Sequence, residues 1–233
     1  MTVGAPILAQ ARTAARGRDM PLPLLPGLPG AAFGLVRGRV HEVCGPARRT
    51  LAAMAAGQGQ DQAAGPVLWL VPGWAPERPM PAGLATWLDP GRLLLATGRR
   101  AEDLLWAAEE GLRSGAVPWV VAELPAPPDL TAVRRLHLAA EAGGGIGTGL
   151  LLTAGTGGAG GVESRWHMAP APDGGWRLDR LRARTAPRAA WALLPGQGAG
   201  GGPRLIAARL VEAGDPDQPP SAARFASTVR TSA

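Results

Sequence analysis

Residues 39–50 read R-V-H-E-V-C-G-P-A-R-R-T, and the rest of the chain is interpreted around this stretch. The alternating V-H-E-V of residues 40–43 predicts a short strand, which the following Gly45-Pro46 breaks. The alanine-rich residues 47–56 predict a helix that ends at Gly57. A strand, a glycine turn and a helix with a threonine in its first turn form the layout of a phosphate-binding loop.

The chemistry of a working phosphate loop is missing from the stretch. Such a loop needs a second glycine, so that backbone N–H groups curl around the phosphates, and a lysine that reaches the terminal phosphates. Here Arg49 precedes Thr50, and all 24 Lys+Arg residues of the chain are arginine. The layout therefore predicts a nucleotide-binding type of core, while the residues argue against ordinary ATP hydrolysis.

Composition predicts one α/β domain with tails. The chain has 233 residues, is 46% hydrophobic, and concentrates its 34 Gly and 24 Pro unevenly. We divide it into an N-terminal basic segment and Pro-rich linker (1–36), an α/β core (37–194) and a flexible Gly/Pro/Arg-rich tail (195–233).

Residues 1–60 carry 7 Arg against 2 acids, residues 61–164 carry 7 against 11, and residues 165–233 carry 10 against 5. Basic ends around an acidic centre indicate contact with a polyanion or an acidic protein face, or solvated arginine alone.

Several classes of site are not expected. Cys44 is the single cysteine, which excludes an intrachain disulfide, and it fits a small buried residue. The three His are far apart in sequence, so we expect no metal site and no cofactor. No apolar run approaches the roughly 20 residues of a membrane span, and residues 1–20 lack a secretory pattern. We expect a cytoplasmic protein that does not insert into membranes.

Buried strands and helices alternate after the opening motif. Apolar runs at residues 66–71, 92–97, 116–123 and 149–153 are typical of strands buried on both faces of a parallel sheet. Residues 101–114 and 130–142 predict helices, the first with acids in its first turn and the second preceded by Asp129. A glycine-rich run at 154–161 is interpreted as a flexible loop, and residues 164–184 predict an antiparallel hairpin. The order predicts a three-layer α/β/α fold with a mostly parallel sheet.

A set of phrases in the core resembles the ImuA family, the RecA-like, SulA-related accessory proteins of bacterial mutagenic translesion synthesis. The phrases extend from residue 40 to about 185 and include the opening motif, A-E-D-L-L-W-A-A-E-E-G-L-R-S-G-A-V-P-W-V-V-A-E-L (101–124) and G-V-E-S-R-W-H-M-A-P (161–170). The resemblance implies a RecA-like core. It implies a damage-induced module with the ImuB pseudo-polymerase and the DnaE2 polymerase.

The same resemblance points to vestigial nucleotide-site positions. Gly45, Pro46 and Thr50 align with the start and end of the RecA phosphate loop, and Glu123 falls near the acid that helps hold Mg²⁺. Because the intervening glycine and lysine are gone, the resemblance fits a degenerate core kept as an interaction platform. From the residues alone, Thr50 is better explained as the first-turn hydroxyl of a helix, and Glu123 as a solvated or hydrogen-bonded loop residue.

Candidate partner or DNA contacts lie elsewhere in the chain. Trp74 and Trp166 are candidates for exposed anchors, because interfaces are enriched in Trp and Arg. Arg134 and Arg135 sit on a predicted helix and either contact DNA or a partner or form a solvated face. A basic strand is a candidate for tracking a phosphate backbone, with partner binding or plain exposure as alternatives; its arginines are Arg177, Arg180, Arg182 and Arg184.

These observations predict a non-catalytic RecA-like adaptor of error-prone translesion DNA synthesis, with homo-oligomerisation left open. Two alternatives stay open at this point. One is a divergent DNA-dependent ATPase, and the other is a SulA-like inhibitor of cell division after DNA damage.

Overall fold

The computed structural model describes residues 21–26, 33–58, 65–172, 174–197 and 203–211. Within these ranges the chain forms a nine-stranded sheet, a separate two-stranded ribbon and helices on both faces of the large sheet. The ribbon strands are β1 (Leu22–Pro23) and β2 (Gly34–Leu35). The large sheet contains β3 (Val40–Cys44), β4 (Val67–Pro72), β5 (Leu93–Gly98), β6 (Trp119–Glu123), β7 (Thr148–Thr153), β8 (Ser164–Pro170), β9 (Trp176–Ala183), β10 (Ala189–Gln197) and β11 (Pro203–Val211).

The sheet is parallel in one part and antiparallel in the other. Its order is β11-β10-β9-β8-β3-β7-β6-β4-β5. The six strands from β8 to β5 run parallel, and β9, β10 and β11 continue the sheet antiparallel beyond β8. The predicted α/β class, the parallel core and the antiparallel hairpin are therefore confirmed.

Four helices in the described residues cover the sheet. They are α1 (Arg48–Gly57), α2 (Pro81–Leu84), α3 (Ala101–Ser114) and α4 (Leu130–Ala142), with a 3-10 turn at Pro90–Arg92. Helix α3 ends at Gly115, whose φ of +64° suits glycine, and α4 begins where the Asp129 carboxylate accepts the Ala132 N–H at 2.7 Å. Local sequence signals thus place both helices as predicted.

Two apolar clusters flank the sheet. One lies on the α1 side of the sheet and contains residues of α1, β4, β6 and β7. It also includes the segment around the ribbon, with Leu24, Leu25 and Phe33. The other packs α3 and α4 on the opposite face. The leucines in and around the ribbon therefore belong to the core of this domain.

The predicted tail boundary at residue 195 is wrong. Strand β10 continues to Gln197, and β11 pairs antiparallel with it from Ala190↔Val211 to Gln197↔Pro203. Pairing with a neighbouring strand satisfies the backbone of a segment whose Gly and Pro content predicted a linker. Expectations for residues 1–20 and 212–233 lie outside the described residues. Within the described part of the chain, no helix has the length and apolar character needed to cross a membrane.

Candidate functional site

The positions that the resemblance relates to a nucleotide site lie at the carboxyl ends of the parallel strands, where α/β sheets usually bind ligands. Strand β3 ends at Cys44 and passes through Gly45 into α1, while β6 ends nearby at Glu123. Cys44 is fully buried, as predicted. The structure therefore brings the turn after β3 and the acidic end of β6 to the same edge of the sheet.

The loop between β3 and α1 spends its backbone N–H groups on hydrogen bonds within the protein. Gly45 has φ +89°, and a Cβ there would lie 2.5 Å from the Met168 carbonyl oxygen. Pro46 has no N–H, the Ala47 N–H donates to the Met168 carbonyl at 2.9 Å, and the Arg48 N–H donates to the Gly45 carbonyl at 3.3 Å. A phosphate loop instead aims such N–H groups at the anion. This loop is closed onto β8 and offers no cradle at residues 46–48.

Arg49 occupies the position before Thr50 and binds the acidic strand end directly. Its Nε donates to Glu123 Oε1 at 2.9 Å and its second terminal nitrogen donates to Oε2 at 2.7 Å. The Glu123 side chain is only 8% exposed and also accepts the buried Trp69 indole N–H at 2.9 Å. The hydrogen bond to Glu123 raises the pKa of Arg49 above its ordinary value. The carboxylate that the resemblance relates to Mg²⁺ is thus held by an arginine and a tryptophan.

Glu77 extends this ion pair to the surface. Its carboxylate lies 3.2 Å from a terminal nitrogen of Arg49, and its side chain is 80% exposed. Exposed pairs of this kind contribute little, so the buried Glu123 contact dominates.

Packing rather than capping fixes the start of α1. Ala47 supplies no side-chain cap, and Arg48 and Arg49 place positive charge in a first turn whose dipole favours anions. Thr50 is half-buried in that turn, and the apolar residues 51–56 behind it are buried. Among the described residues, no group of three or more His, Cys, Asp or Glu side chains is arranged to hold a metal ion.

A second buried acid, Glu42, organises the loop that follows β7. Its side chain is fully buried and accepts hydrogen bonds from Thr153 Oγ1 at 2.7 Å and from the Gly158 and Ala159 N–H groups at 2.9 and 3.2 Å. Arg165 Nε completes the set at 2.5 Å. The glycine-rich run is therefore anchored at residues 158 and 159, and its interpretation as a flexible loop is wrong there. A charged side chain inside a buried strand needs hydrogen-bond partners. The acid at position 42, in the middle of a predicted strand, was therefore the sequence signal that could have indicated this cluster.

A hydrogen-bonded chain beside Glu42 explains why Trp166 is not an exposed anchor. Trp166 is 1% exposed, because its side chain packs in the apolar cluster on the α1 face of the sheet, where its ring lies 6.0 Å from that of Trp191. Its indole N–H donates to Ser164 Oγ at 2.8 Å. Ser164 Oγ lies 2.7 Å from His41 Nδ1, and His41 Nε2 lies 3.0 Å from the Val36 carbonyl. Burial lowers the pKa of His41 to about 4, so the ring is neutral and donates to Val36 through Nε2.

The four arginines around β9 do not form one basic surface. Arg177 makes a bidentate pair with the buried Asp179, with contacts at 2.8–3.1 Å. Arg180 is 9% exposed, and its guanidinium carbon lies 5.6 and 5.2 Å from the ring centroids of Trp166 and Trp191. Arg182 and Arg184 are exposed. The prediction of a four-arginine phosphate track is therefore wrong for Arg177 and Arg180, which are used inside the protein.

The remaining candidates lie on the surface. Trp74 is 51% exposed, just beyond β4. Arg134 and Arg135 are exposed on α4, and Arg135 pairs with Glu109 of α3 at 2.7 Å. Trp74 thus has the exposure that an anchor needs, and Arg134 is the less engaged of the two helix arginines.

Comparison with known proteins places the chain. No protein-family model matches the sequence. Protein ImuA of Caulobacter vibrioides, recorded from strains NA1000 / CB15N and ATCC 19089 / CIP 103742 / CB 15, is 34% identical over 221 residues, covering 80% of this chain and 89% of that protein. The crystal structure of SulA from Pseudomonas aeruginosa matches with a TM-score of 0.41 and 22% identity, over 50% of this chain and 98% of SulA. On the extent and identity of the match to Protein ImuA, the chain belongs to the ImuA family.

Proposed function

We propose that this protein is a non-catalytic adaptor that acts with ImuB and the DnaE2 polymerase in error-prone translesion DNA synthesis. Membership of the ImuA family supports a role in the DNA damage response. The two named partners come from the resemblance of the core to that family. In this proposal the protein bridges the other components and carries out no nucleotide chemistry of its own.

One observation carries the non-catalytic part of the proposal: the nucleotide-site remnant is occupied by the protein's own groups. Arg49 and Trp69 donate hydrogen bonds to the Glu123 carboxylate, and the Ala47 N–H donates to the Met168 carbonyl. A bound nucleotide would have to break these contacts and find new donors in a chain without lysine. Phosphoryl transfer depends almost entirely on such positioning and electrostatic contacts, so their loss argues against catalysis.

Calorimetry with ATP and Mg²⁺, with and without single-stranded DNA, tests this part. We expect no heat of binding in either condition. Micromolar binding, about −8 kcal/mol, would contradict the proposal and favour the ATPase alternative. In that case Arg49→Ala and Glu123→Ala should remove both binding and turnover, and Glu77→Ala, which alters only the exposed end of the ion pair, is the matched control.

Co-purification of the full chain with ImuB and with DnaE2 tests the adaptor part. We expect capture of at least one partner, weakened by Trp74→Ala and by Arg134→Ala. Exposed Ile146, in the loop between α4 and β7 at the amino ends of the strands, supplies a control substitution, Ile146→Ala. Failure to bind either polymerase component, under conditions where the protein is folded, would overturn the proposal.

Direct DNA contact by Arg182 and Arg184 is a separable part of the proposal. Titration of single-stranded DNA at two salt concentrations should show binding that weakens with salt, since phosphate contacts release counterions. Arg182→Glu should reduce that binding, and so should Arg184→Glu, whose ion pair with Glu163 is long at 3.5 Å. Arg135→Glu, at a residue that pairs with Glu109 at 2.7 Å, should have a smaller effect. Equal effects of all three substitutions would contradict a specific role for the β9 end.

A further inference from the structure

Strand β5 forms one end of the large sheet, and none of the described segments pairs with its outer edge. It pairs with β4 and is the terminal strand of the sheet on that side. Its residues from Leu94 to Thr97 are exposed, with Leu94 at 52% and Leu95 at 46%. Natural edge strands are usually blunted by charged residues, prolines or bulges, and L-L-L-A-T-G contains no charged residue and no proline. The strand is therefore a ready template for another strand.

The backbone groups that face outward can be assigned from one hydrogen bond. The Gly98 carbonyl accepts the Gly73 N–H at 2.7 Å, beside the end of β4. The N–H and C=O of one strand residue point to the same side, and the side alternates along the strand. Gly98 and the other even-numbered residues therefore face β4, and Leu93, Leu95 and Thr97 face the open edge.

The two ends of β5 carry opposite charges that form no ion pair with any residue the structure describes. At its carboxyl end Arg99 is exposed, and its guanidinium makes no ion pair within the described ranges. At its amino end Asp89 is exposed, and its carboxylate accepts only the Gly91 N–H, at 2.9 Å, from the described residues. Arg92 is turned inward, where its Nε donates to the Gly65 carbonyl at 2.9 Å. A strand with a positive carboxyl end and a negative amino end is complementary to an antiparallel copy of itself.

We propose that two copies of this protein associate through β5, with the strands antiparallel about a two-fold axis at Leu95. In this register Leu95 faces Leu95 of the second copy, and Leu93 and Thr97 face each other across the axis. Every outward-facing residue of β5 then exchanges hydrogen bonds with its counterpart. Arg99 lies opposite Gly91 of the other copy, two residues from Asp89, and the exposed leucines are covered. Each interface patch meets its own copy, as a two-fold dimer requires.

The oligomeric state of the full chain tests the proposal. Analytical ultracentrifugation should show a dimer at micromolar concentration. Leu95→Arg should raise the dissociation constant at least about tenfold, because it places like charges together at the axis. Leu138→Arg, an equivalent change at an exposed leucine of α4, should leave it unchanged. A monomer at tens of micromolar, or a dimer insensitive to Leu95→Arg, would overturn the proposal.

A cysteine substitution at the two-fold axis gives a second measurement, disulfide cross-linking, that does not depend on disrupting the interface. Residues in a hydrogen-bonded antiparallel pair have Cα atoms about 5.5 Å apart, within the disulfide range of roughly 4.4–6.8 Å. Leu95→Cys should therefore form a covalent dimer under mild oxidation, and Leu138→Cys should not. The native Cys44 is fully buried and does not compete. Equal cross-linking of the two variants would contradict the two-fold axis.

Charge exchange tests the register. Arg99→Glu alone should weaken the dimer several-fold, since it brings a second negative charge near Asp89 of the other copy. Adding Asp89→Arg should restore the affinity of the dimer. Arg134→Glu, which changes an exposed arginine away from β5, is the control. Failure of the double substitution to restore association, with circular dichroism confirming that it is folded, would exclude this antiparallel arrangement.

Discussion

Glu123→Gln should destabilise the protein because the carboxylate has three donors that an amide cannot all accept. Arg49 supplies contacts at 2.9 and 2.7 Å, and the Trp69 indole supplies one at 2.9 Å. A glutamine side chain still has one oxygen that can accept the Trp69 N–H. Its NH₂ group then faces an Arg49 nitrogen, and two hydrogen-bond donors oppose each other. Hydrogen bonds to charged groups are worth about 1.5–3 kcal/mol. Because Glu123 is almost fully buried, we expect a loss of about 2–3 kcal/mol in the free energy of unfolding.

Urea denaturation monitored by circular dichroism measures this loss. Glu77→Gln is the matched control: its carboxylate contacts the same arginine but is 80% exposed, so the expected change is below about 0.5 kcal/mol. Combining Glu123→Gln with Arg49→Met isolates the coupling between the two residues, which we expect at about 1–2 kcal/mol. A loss below about 0.5 kcal/mol for Glu123→Gln, or no coupling, would refute the account of an internally occupied site.

Three further changes test the surrounding structure by denaturation. Glu42→Gln should cost about 2–4 kcal/mol, since the fully buried side chain loses hydrogen bonds to a charged group and the partly buried Arg165 loses its counter-charge, whereas Glu141→Gln, in an exposed pair, should cost under about 1 kcal/mol. Gly45→Ala forces a Cβ against a carbonyl at φ +89° and should cost at least about 1–3 kcal/mol; Gly83→Ala, where the space is open, should not destabilise. Because the pKa of His41 is about 4 in the folded protein and about 6.5 unfolded, only the unfolded state gains its proton between these values. Stability should therefore fall by about 3 kcal/mol from pH 7 to pH 4, and His41→Gln should reduce that fall.

Local patterns were enough to predict the parallel core. Continuous apolar runs identified β4, β6 and β7, which are covered on both faces. The run at residues 92–97 identified a strand, but the expectation that β5 is buried on both faces is wrong, because β5 lies at the edge of the sheet. Asp129 marked a helix start through its side-chain cap, and Gly115 marked a helix end through its positive φ. The hairpin of β8 and β9 followed from alternation around a turn. Each of these signals depends on neighbours within a few residues, and such neighbours can be seen in a sequence.

The site depended on contacts that no local pattern contains. Arg49 and Glu123 are separated by 74 positions, and a loop that lacks lysine does not show that its arginine binds the acid. Trp166 and Arg180 were misplaced for a related reason, because alternation in β8 and β9 does not reveal that both strands are covered and that the arginine stacks on tryptophans. The tail boundary failed because pairing with β10 outweighs the composition of residues 203–211.

The position of Glu42 has a consequence for the order of events during synthesis on the ribosome. Its strand, β3, is flanked in the sheet by β7 and β8, and its side-chain partners lie 111–123 positions further along the chain. At about 5–20 residues per second, this carboxylate waits on the order of ten seconds before Thr153 and Arg165 emerge. Until then a charged group and both edges of a central strand have no native partners. The nascent chain therefore passes through a period in which the region around residue 42 can make only non-native contacts.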